Sequence, residues 1–243
     1  MESPLLIALS QQVVLRRQMD VVANNMANAN TSGFKQQRML FTEFLERPAV
    51  NERLSFVQDR AASRDLSQGP LSATTNPLDL AINGSGYLVV DTVNGPRYTR
   101  DGHFQLDAQR QIVNSGGLPL LSTNNQPIAI PPGASNIRIS ADGNVFTELD
   151  PANPVGRIRL ASFQREQQMT AVGANLYATD ETPQAAPATS SLQQGMIEES
   201  NVKPVLEISA MIEVSRQYAA AQKVIDTETQ RQTSAIQRLG KST

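Results

Sequence analysis

The two ends of the chain constrain its fold most. Residues 1–46 and 195–243 carry apolar side chains at helical spacing, whereas glycine and proline punctuate the stretch between them. Ser3 and Pro4 form a favourable helix start. Apolar side chains then recur every three or four residues, with one polar interruption at Gln12, which is the pattern of a heptad seam. We predict a helix to about residue 28, where an asparagine-rich junction and Gly33 end it.

The C-terminal segment predicts a second, longer helix that begins after Lys203 and Pro204. Its seam is also incomplete, because Ser215 and Gln222 occupy heptad-compatible positions among the apolar ones. Such a seam provides little hydrophobic free energy in a simple pair of helices, since helices in proteins are stabilised mainly by packing a continuous apolar face. We therefore predict that the terminal helices pack together and also against further neighbours.

Between the ends the pattern changes to short β runs. Residues 78–82 and 87–90 flank a glycine-rich stretch that predicts a hairpin. Further candidate strands at similar spacing are predicted at 97–100, 104–106, 111–113, 118–121, 128–130, 136–139, 144–147 and 156–163. This spacing is typical of an all-β sandwich or a partly open barrel. Two of the predicted hairpins align, with Arg110 matching Gly143 at a position where a positive φ is expected.

The predicted fold class is therefore α+β, with terminal α-helices packing as a coiled-coil-like stem around a central, mainly antiparallel β domain. We divide the chain into an N-terminal helical segment (1–46), a linker with some extended structure (47–74), the β domain (75–180), a flexible linker (181–194) and a C-terminal helical segment (195–243). The N-terminal segment includes 34–46, which has the pattern of a second short amphipathic stretch.

Composition excludes several classes of protein. The formal net charge is −2, so non-specific nucleic-acid binding has no electrostatic support. The chain has no cysteine, which excludes disulfides and thiolate metal sites. It also has no run of 18 apolar residues, so we expect no membrane insertion. The first residues lack a basic region and a cleavage site, and we expect no cleaved signal peptide.

The sequence shows no catalytic constellation, and we predict that the protein is not an enzyme. The single histidine, His103, follows a turn and is interpreted as solvated or hydrogen-bonded rather than as a base. Asp142 lies in a short turn without the ligand ladder of a Ca²⁺ loop. Glu198 and Glu199 are interpreted as a solvated pair near a helix start. No catalytic residue, cofactor site or metal site is therefore predicted.

Four ordered segments resemble bacterial flagellar rod and hook proteins. Residues 23–35 resemble the N-terminal signature of that family, and 75–84, 98–102 and 195–202 are similar to three further family motifs. The similarity continues into the last helix and covers essentially the whole chain. The length of the chain, its opening at residues 6–17 and its compact β region most resemble those of the proximal-rod members of the family. Distal-rod and other axial members are the alternatives.

This resemblance implies a structural subunit of the basal-body rod that self-assembles through its terminal helices into a torque-transmitting shaft. It implies a periplasmic location, export by the flagellar type III apparatus without cleavage, and contacts with copies of itself and other rod proteins. Thr75 and Arg110 stand where family members usually have glycine. The residues expected at the assembly interface are Leu5, Leu15, Met19, Val22, Asn24, Asn25, Met26, Asn28, Asn30, Gly33, Phe34, Ser200, Asn201, Val202, Ile208, Met211, Ile212, Tyr218 and Ile225.

A rival interpretation is a β-sandwich that binds cell-wall glycans and is displayed on helical stems. It requires an aromatic-lined groove. The few aromatic side chains of the β region have apolar surroundings in the sequence, which favours a core position for most of them. A wall-degrading enzyme is a weaker rival, because His103 is the only candidate base.

Overall fold

A computed structural model describes residues 3–46 and 54–240. The described chain begins and ends with helices, and strands fill the sequence between them. The helices are α1 (Ser3–Ala27) and α2 (Pro204–Gly240). The strands are β1 (Gln37–Glu46), β2 (Leu54–Arg64), β3 (Leu71–Ala73), β4 (Leu80–Asn83), β5 (Tyr87–Val90), β6 (Arg97–Thr99), β7 (Phe104–Leu106), β8 (Ile112–Asn114), β9 (Ile137–Ile139), β10 (Asn144–Thr147), β11 (Gly156–Arg157), β12 (Leu160–Ser162), β13 (Thr170–Ala171), β14 (Leu176–Ala178), β15 (Gln184–Ala185), β16 (Ser191–Gln194) and β17 (Met196–Glu198). The predicted α+β class is confirmed.

The chain forms two compact units. The helical unit comprises residues 1–29, 36–65 and 202–243, and the β unit comprises residues 30–35 and 66–201. The chain therefore passes from one unit to the other four times, after residues 29, 35, 65 and 201. The predicted β domain at 75–180 is contained within the second unit.

In the helical unit, α1 and α2 pack in antiparallel orientation. Leu15 is buried with Val214 and Ala221, and Met19 and Tyr218 pack against this small cluster. An amide hydrogen bond of 2.5 Å joins Gln12 Nε2 to Gln222 Oε1. The polar interruptions seen in the two seams thus face each other.

The predicted amphipathic stretch at 34–46 is wrong as a helix, because Gln37–Glu46 is strand β1. It pairs along its whole length with β2, which lies in the segment predicted as a linker. The long partner strand pairs with the backbone donors and acceptors along one edge of β1, and this overrides the helical spacing of its apolar residues. Residues 47–53 of the predicted linker lie outside the described part of the chain.

The β unit is built from antiparallel strand pairs in several small sheets. The largest described sheet has six strands in the order β13-β14-β6-β5-β12-β15, and a three-stranded sheet has the order β11-β10-β9. Two-stranded sheets pair β16 with β4, β17 with β3 and β7 with β8. Most predicted strands are confirmed, but 118–121 and 128–130 form isolated bridges.

Two other predictions about this region are wrong. The stretch 83–86 does not close a hairpin, since β4 pairs with β16 whereas β5 lies between β6 and β12. The φ angles of Gly84 and Gly86 are +104° and +124°, and they turn the chain between different sheets. The segment 181–194 is not a flexible linker, because β15 and β16 within it pair with β12 and β4.

The C-terminal segment also differs from its prediction in one part. The helix begins at Pro204 as predicted, but Met196–Glu198 is strand β17 and pairs with β3. The core of the β unit is a continuous apolar cluster that includes Leu80, Leu88 and Val145. A second cluster contains aromatic rings, with Tyr98 and Phe163 in edge contact at 4.6 Å.

Candidate functional site

A buried cluster of three charged side chains joins distant segments of the β unit. Lys35 Nζ lies 2.6 Å from Glu198 Oε1, and Arg100 Nη1 lies 2.9 Å from Glu198 Oε2. Glu198 is 1% exposed and Lys35 is 2% exposed. One carboxylate therefore holds two cations from segments that are more than sixty residues apart in the sequence.

Backbone groups provide further hydrogen-bond partners for this charged cluster. The amide of Gly69 donates to Glu198 Oε1 at 3.0 Å, and Lys35 Nζ also donates to the carbonyl of Ser67 at 2.7 Å. Arg100 Nη2 donates to the carbonyl of Gly84 at 2.9 Å. Buried charges need such partners, because an unpaired ion in a protein interior costs several kcal/mol.

Two glycines allow the chain segments to approach the cluster. Gly33 has φ +70°, and a Cβ placed on it would lie 2.4 Å from the carbonyl carbon of Arg100. A Cβ on Gly69 would lie 2.0 Å from the carbonyl oxygen of Glu199. The amide of Gly33 donates to the carbonyl of Glu198 at 2.8 Å. These backbone contacts leave no room for a side chain at either position.

The sequence analysis missed the charged cluster, because it interpreted Glu198 and Glu199 as a solvated pair. Glu198 is not solvated, whereas Glu199 is exposed. A signal was present, since Lys35, Arg100 and Glu198 are charged members of three of the four family motifs. Their convergence could not be predicted, because motif spacing along the chain does not say which segments meet.

In the helical unit, Asn25 forms a second buried polar node. Its Oδ1 accepts from the amide of Gln37 at 2.8 Å, and its Nδ2 donates to the carbonyl of Gln37 at 2.9 Å. The Asn25 side chain thus pairs with Gln37 as a neighbouring strand would. Nδ2 also lies 3.2 Å from Glu207 Oε2, and Gln36 Nε2 donates to Glu207 Oε1 at 2.6 Å.

The structure distributes the residues expected at the assembly interface among several environments. The side chain of Leu5 lies outside the described part. Buried positions are Leu15, Val22, Asn25, Gly33, Ser200 and Val202. Half-buried positions are Met19, Met26, Asn28, Phe34, Asn201, Met211, Tyr218 and Ile225. Exposed positions are Asn24, Asn30, Ile208 and Ile212. The predicted set thus combines contacts within one chain with surface positions.

The helical unit also exposes apolar side chains that the prediction omitted. On α1 these are Leu6, Leu9 and Val13, and near the start of α2 they are Val205 and Leu206. They were missed because the heptad analysis followed only the seam between the helices.

A cavity of about 610 Å³ in the β unit is lined by polar side chains, among them Ser85, Arg100 and Glu166. His103 does not line this cavity. Its side chain is exposed, and its Nδ1 lies 2.9 Å from Asp101 Oδ1. Among the described residues no acidic, histidine or cysteine cluster could hold a metal ion. None of the described helices contains a stretch long and apolar enough to cross a bilayer.

Comparisons with known proteins match three segments of the chain to flagellar protein families. Residues 5–35 match the family described as flagella basal body rod protein, and residues 193–238 match the flagellar basal body rod FlgEFG protein C-terminal family. Residues 81–147 match the flagellar hook protein FlgE/F/G D1 domain. The chain is 37% identical to the flagellar basal-body rod protein FlgF of Caulobacter vibrioides, with 99% of both chains covered. The chain belongs to the flagellar basal-body rod protein family.

Two further relatives are also flagellar basal-body rod proteins. This chain is 31% identical to FlgF of Mesorhizobium japonicum, with 99% of both chains covered. It is also 36% identical to FlgG of Caulobacter vibrioides over 92% of this chain and 94% of the relative. The rod protein is thus a structural subunit of the flagellar basal body, as the resemblance in the sequence implied.

Proposed function

We propose that this rod protein forms part of the proximal rod, polymerises through its helical unit and transmits torque along the shaft. Similarity to FlgF across nearly the whole chain supports the proximal position, and similarity to FlgG keeps a distal-rod position as the alternative. The rod protein would contact copies of itself, other rod proteins and, during export to the periplasm, the flagellar export apparatus. It performs no catalysis in this role.

The observation that carries this proposal is the unfinished packing of the helical unit. Each helix buries one face against the other, yet Leu9, Val13, Ile208 and Ile212 remain 41–59% exposed. Exposed apolar side chains grouped on a surface mark an interaction site. A rod subunit must contact neighbours through such a surface, whereas a helical stem that only displays a binding domain has no need of it.

The buried aromatic rings favour the rod subunit over the glycan-binding rival. Tyr87, Tyr98, Phe163 and Tyr177 are all buried in one cluster of the β unit. Their edge-to-face contacts are those of a core. They therefore provide no exposed stacking platform for a sugar ring.

The charged cluster supports a torque-bearing role for the β unit. Lys35, Ser67 and Asn201 lie next to three of the positions where the chain passes between the units. Glu198 joins the segment of Lys35 to strand β17, and Asn201 Nδ2 donates to the carbonyl of Ser67 at 3.0 Å. These cross-links between segments would resist shear of the β unit where the chain enters it.

The test is deletion of the gene followed by electron microscopy of isolated basal bodies. A rod interrupted near the inner membrane is the expected result, and it should be restored by the wild-type gene. Complementation by Val13→Asp should fail, since the change places a charge on the exposed apolar surface. Gln11→Asp, at an exposed polar position of the same helix, should restore the rod and motility. An intact rod in the deletion strain contradicts the proposed function.

A further inference from the structure

The polar cavity of the β unit has no part in the proposed function. Its volume is about 610 Å³, within the roughly 300–1,000 Å³ that is usual for sites of small ligands. Its lining comes from residues 66 and 68, the turn at 84–85, residues 163–168 and Arg100. All of these residues belong to the β unit, so a single copy of the chain builds the cavity.

Arg100 belongs both to the lining of this cavity and to the charged cluster. Glu198 pairs with Arg100 and with Lys35, so the cluster contains two cations and one carboxylate. A buried charge without a counter-charge is costly, because a protein interior solvates it poorly. The excess positive charge of the cluster therefore attracts an anion into adjoining space, and the cavity is such a space.

Arg100 also has a donor that the protein leaves unused. Its Nη1 and Nη2 donate to Glu198 Oε2 and to the carbonyl of Gly84, each at 2.9 Å. Its Nε is buried and has no hydrogen-bond partner among the described residues, while the guanidinium lies 5.5 Å from the ring centre of Tyr87. An unsatisfied buried N–H destabilises a protein. A ligand oxygen that reaches Arg100 from the cavity would remove this cost.

Arg165 provides a second guanidinium at the cavity, with 66% of its side chain exposed. Glu181 Oε2 lies 4.0 Å from its Nε, but the Glu181 carboxylate accepts hydrogen bonds from the backbone amides of Gln164 and Arg165. An exposed ion pair at this distance is weak, so Arg165 can turn to a ligand. Glu166 is the one acidic side chain among the described lining residues, and it accepts a hydrogen bond from the hydroxyl of Tyr87 at 3.2 Å.

The remaining polar lining matches the groups of a peptide. Gln164 and Gln168 are exposed and line the cavity. Each glutamine amide offers donors and an acceptor, as a peptide group does. The guanidiniums of Arg100 and Arg165 match a carboxylate, which arginine binds through two parallel hydrogen bonds. The lining therefore fits a short peptide with an acidic side chain.

We propose that this cavity binds a short acidic peptide. The guanidiniums of Arg100 and Arg165 bind its carboxylate, and the glutamine amides bind its backbone. The peptide is either a segment of a neighbouring protein in the rod or a free peptide of the same chemistry. The site is independent of how the helical unit polymerises, because every residue that lines it belongs to the β unit.

The test titrates the purified full-length protein with two capped dipeptides that differ only in charge. They are N-acetyl-alanyl-glutamate amide and N-acetyl-alanyl-glutamine amide, and NMR follows the Nε–H signal of Arg100. The acidic peptide should shift this signal and bind about tenfold or more tightly than the neutral one. Arg165→Gln should weaken binding of the acidic peptide by a similar factor. Arg138→Gln is the matched control, because Arg138 is an exposed arginine that does not line the cavity.

Three results would overturn the proposal. The first is equal affinity for the acidic and the neutral peptide, and the second is unchanged affinity in Arg165→Gln. The third is binding that leaves the Arg100 signal in place, since the peptide would then lie elsewhere. Arg165 is exposed, so its variant tests binding without disturbing the buried cluster.

Complementation of the deletion strain with Arg165→Gln distinguishes the two sources of the peptide. Loss of rods with this variant, but not with Arg138→Gln, assigns the peptide to a neighbouring rod protein. Normal rods, together with weakened binding in the titration, assign the site to a free peptide. Because the titration uses purified protein, its result does not depend on whether the chain polymerises.

Discussion

The two units of this rod protein differ in how completely they bury their apolar residues. The β unit has a continuous core, a buried aromatic cluster and a charged cluster in which one carboxylate pairs with two cations. The helical unit buries a small seam around Leu15 and Val214 and leaves several apolar side chains of both helices exposed, among them Val13 and Ile212. The β unit buries its core within one chain, whereas we propose that neighbours in the rod cover the exposed apolar side chains of the helical unit.

The largest effect is expected when the charged cluster of the β unit is broken. Glu198→Gln removes the carboxylate that pairs with the buried Lys35 and Arg100, and we expect a loss of about 3–5 kcal/mol in the free energy of unfolding. Urea unfolding followed by tyrosine fluorescence measures it. Glu199→Gln, at the exposed neighbour, should change it by less than about 0.5 kcal/mol. Equal unfolding midpoints for the two variants would mean that the cluster contributes nothing to the β unit.

The next largest effect is expected in the helical unit, where substitutions on the buried and exposed faces of α1 should have different consequences. Leu15→Ala removes a buried side chain from the seam, and we expect the helical unit to lose about 2–4 kcal/mol. Val13→Ala truncates an exposed side chain and should leave the helicity of the monomer unchanged, while it weakens assembly. Circular dichroism of the purified monomer compares them. A larger loss of helicity for Val13→Ala than for Leu15→Ala would reverse the assignment of the two faces.

A smaller loss of stability is expected at Gly33, where two chain segments of the β unit approach each other closely. Gly33→Ala combines a positive φ with a clash against the Arg100 backbone, and we expect a loss of about 2 kcal/mol or more. Gly117→Ala is a matched control, because its φ is +75° and a Cβ there meets nothing within 4 Å. The control should cost about 1 kcal/mol. Thermal unfolding that ranks the two variants equally would show that space at Gly33 is not limiting.

The smallest effect concerns the pH dependence of the β unit surface. Hydrogen bonds from the Ser135 side chain and backbone lower the pKa of Glu148. A carboxyl group whose pKa is lowered on folding adds stability above its unfolded pKa, and this stability is lost as the pH falls through its folded pKa. Ser135→Ala should move the pKa of Glu148 upward towards its ordinary value in an NMR titration. An unchanged pKa would show that the Ser135 hydroxyl does not determine it.

The helices and most strands of this chain could be predicted from local patterns. The start of α2 at Pro204 and the seam through Leu15 follow from the capping residues and from spacing. The resemblance led us to expect glycine at two positions of this chain. Of these two, Arg110 adopts φ +61°, as its alignment with Gly143 predicts. Thr75 is not among the non-glycine residues with positive φ, so no glycine is needed there.

The errors share a physical cause, namely pairing between segments that are distant in the sequence. Strand β1 has helical spacing but becomes a strand through β2, and β16 was interpreted as a linker although it pairs with β4. The burial of Glu198 depends on Lys35 and Arg100, which lie far away along the chain. Local propensity does not encode such pairing. The charged cluster therefore became visible only in the folded chain.

The most direct test of the difference between the units is hydrogen exchange of the purified monomer and of assembled rods. In the monomer we predict strong amide protection in strands β4, β5 and β12 and at least tenfold faster exchange in residues 5–28 and 205–235. In assembled rods both helices should become as protected as the β unit. Strong protection of both helices in the monomer, unchanged on assembly, would contradict the claim that neighbours complete the helical unit.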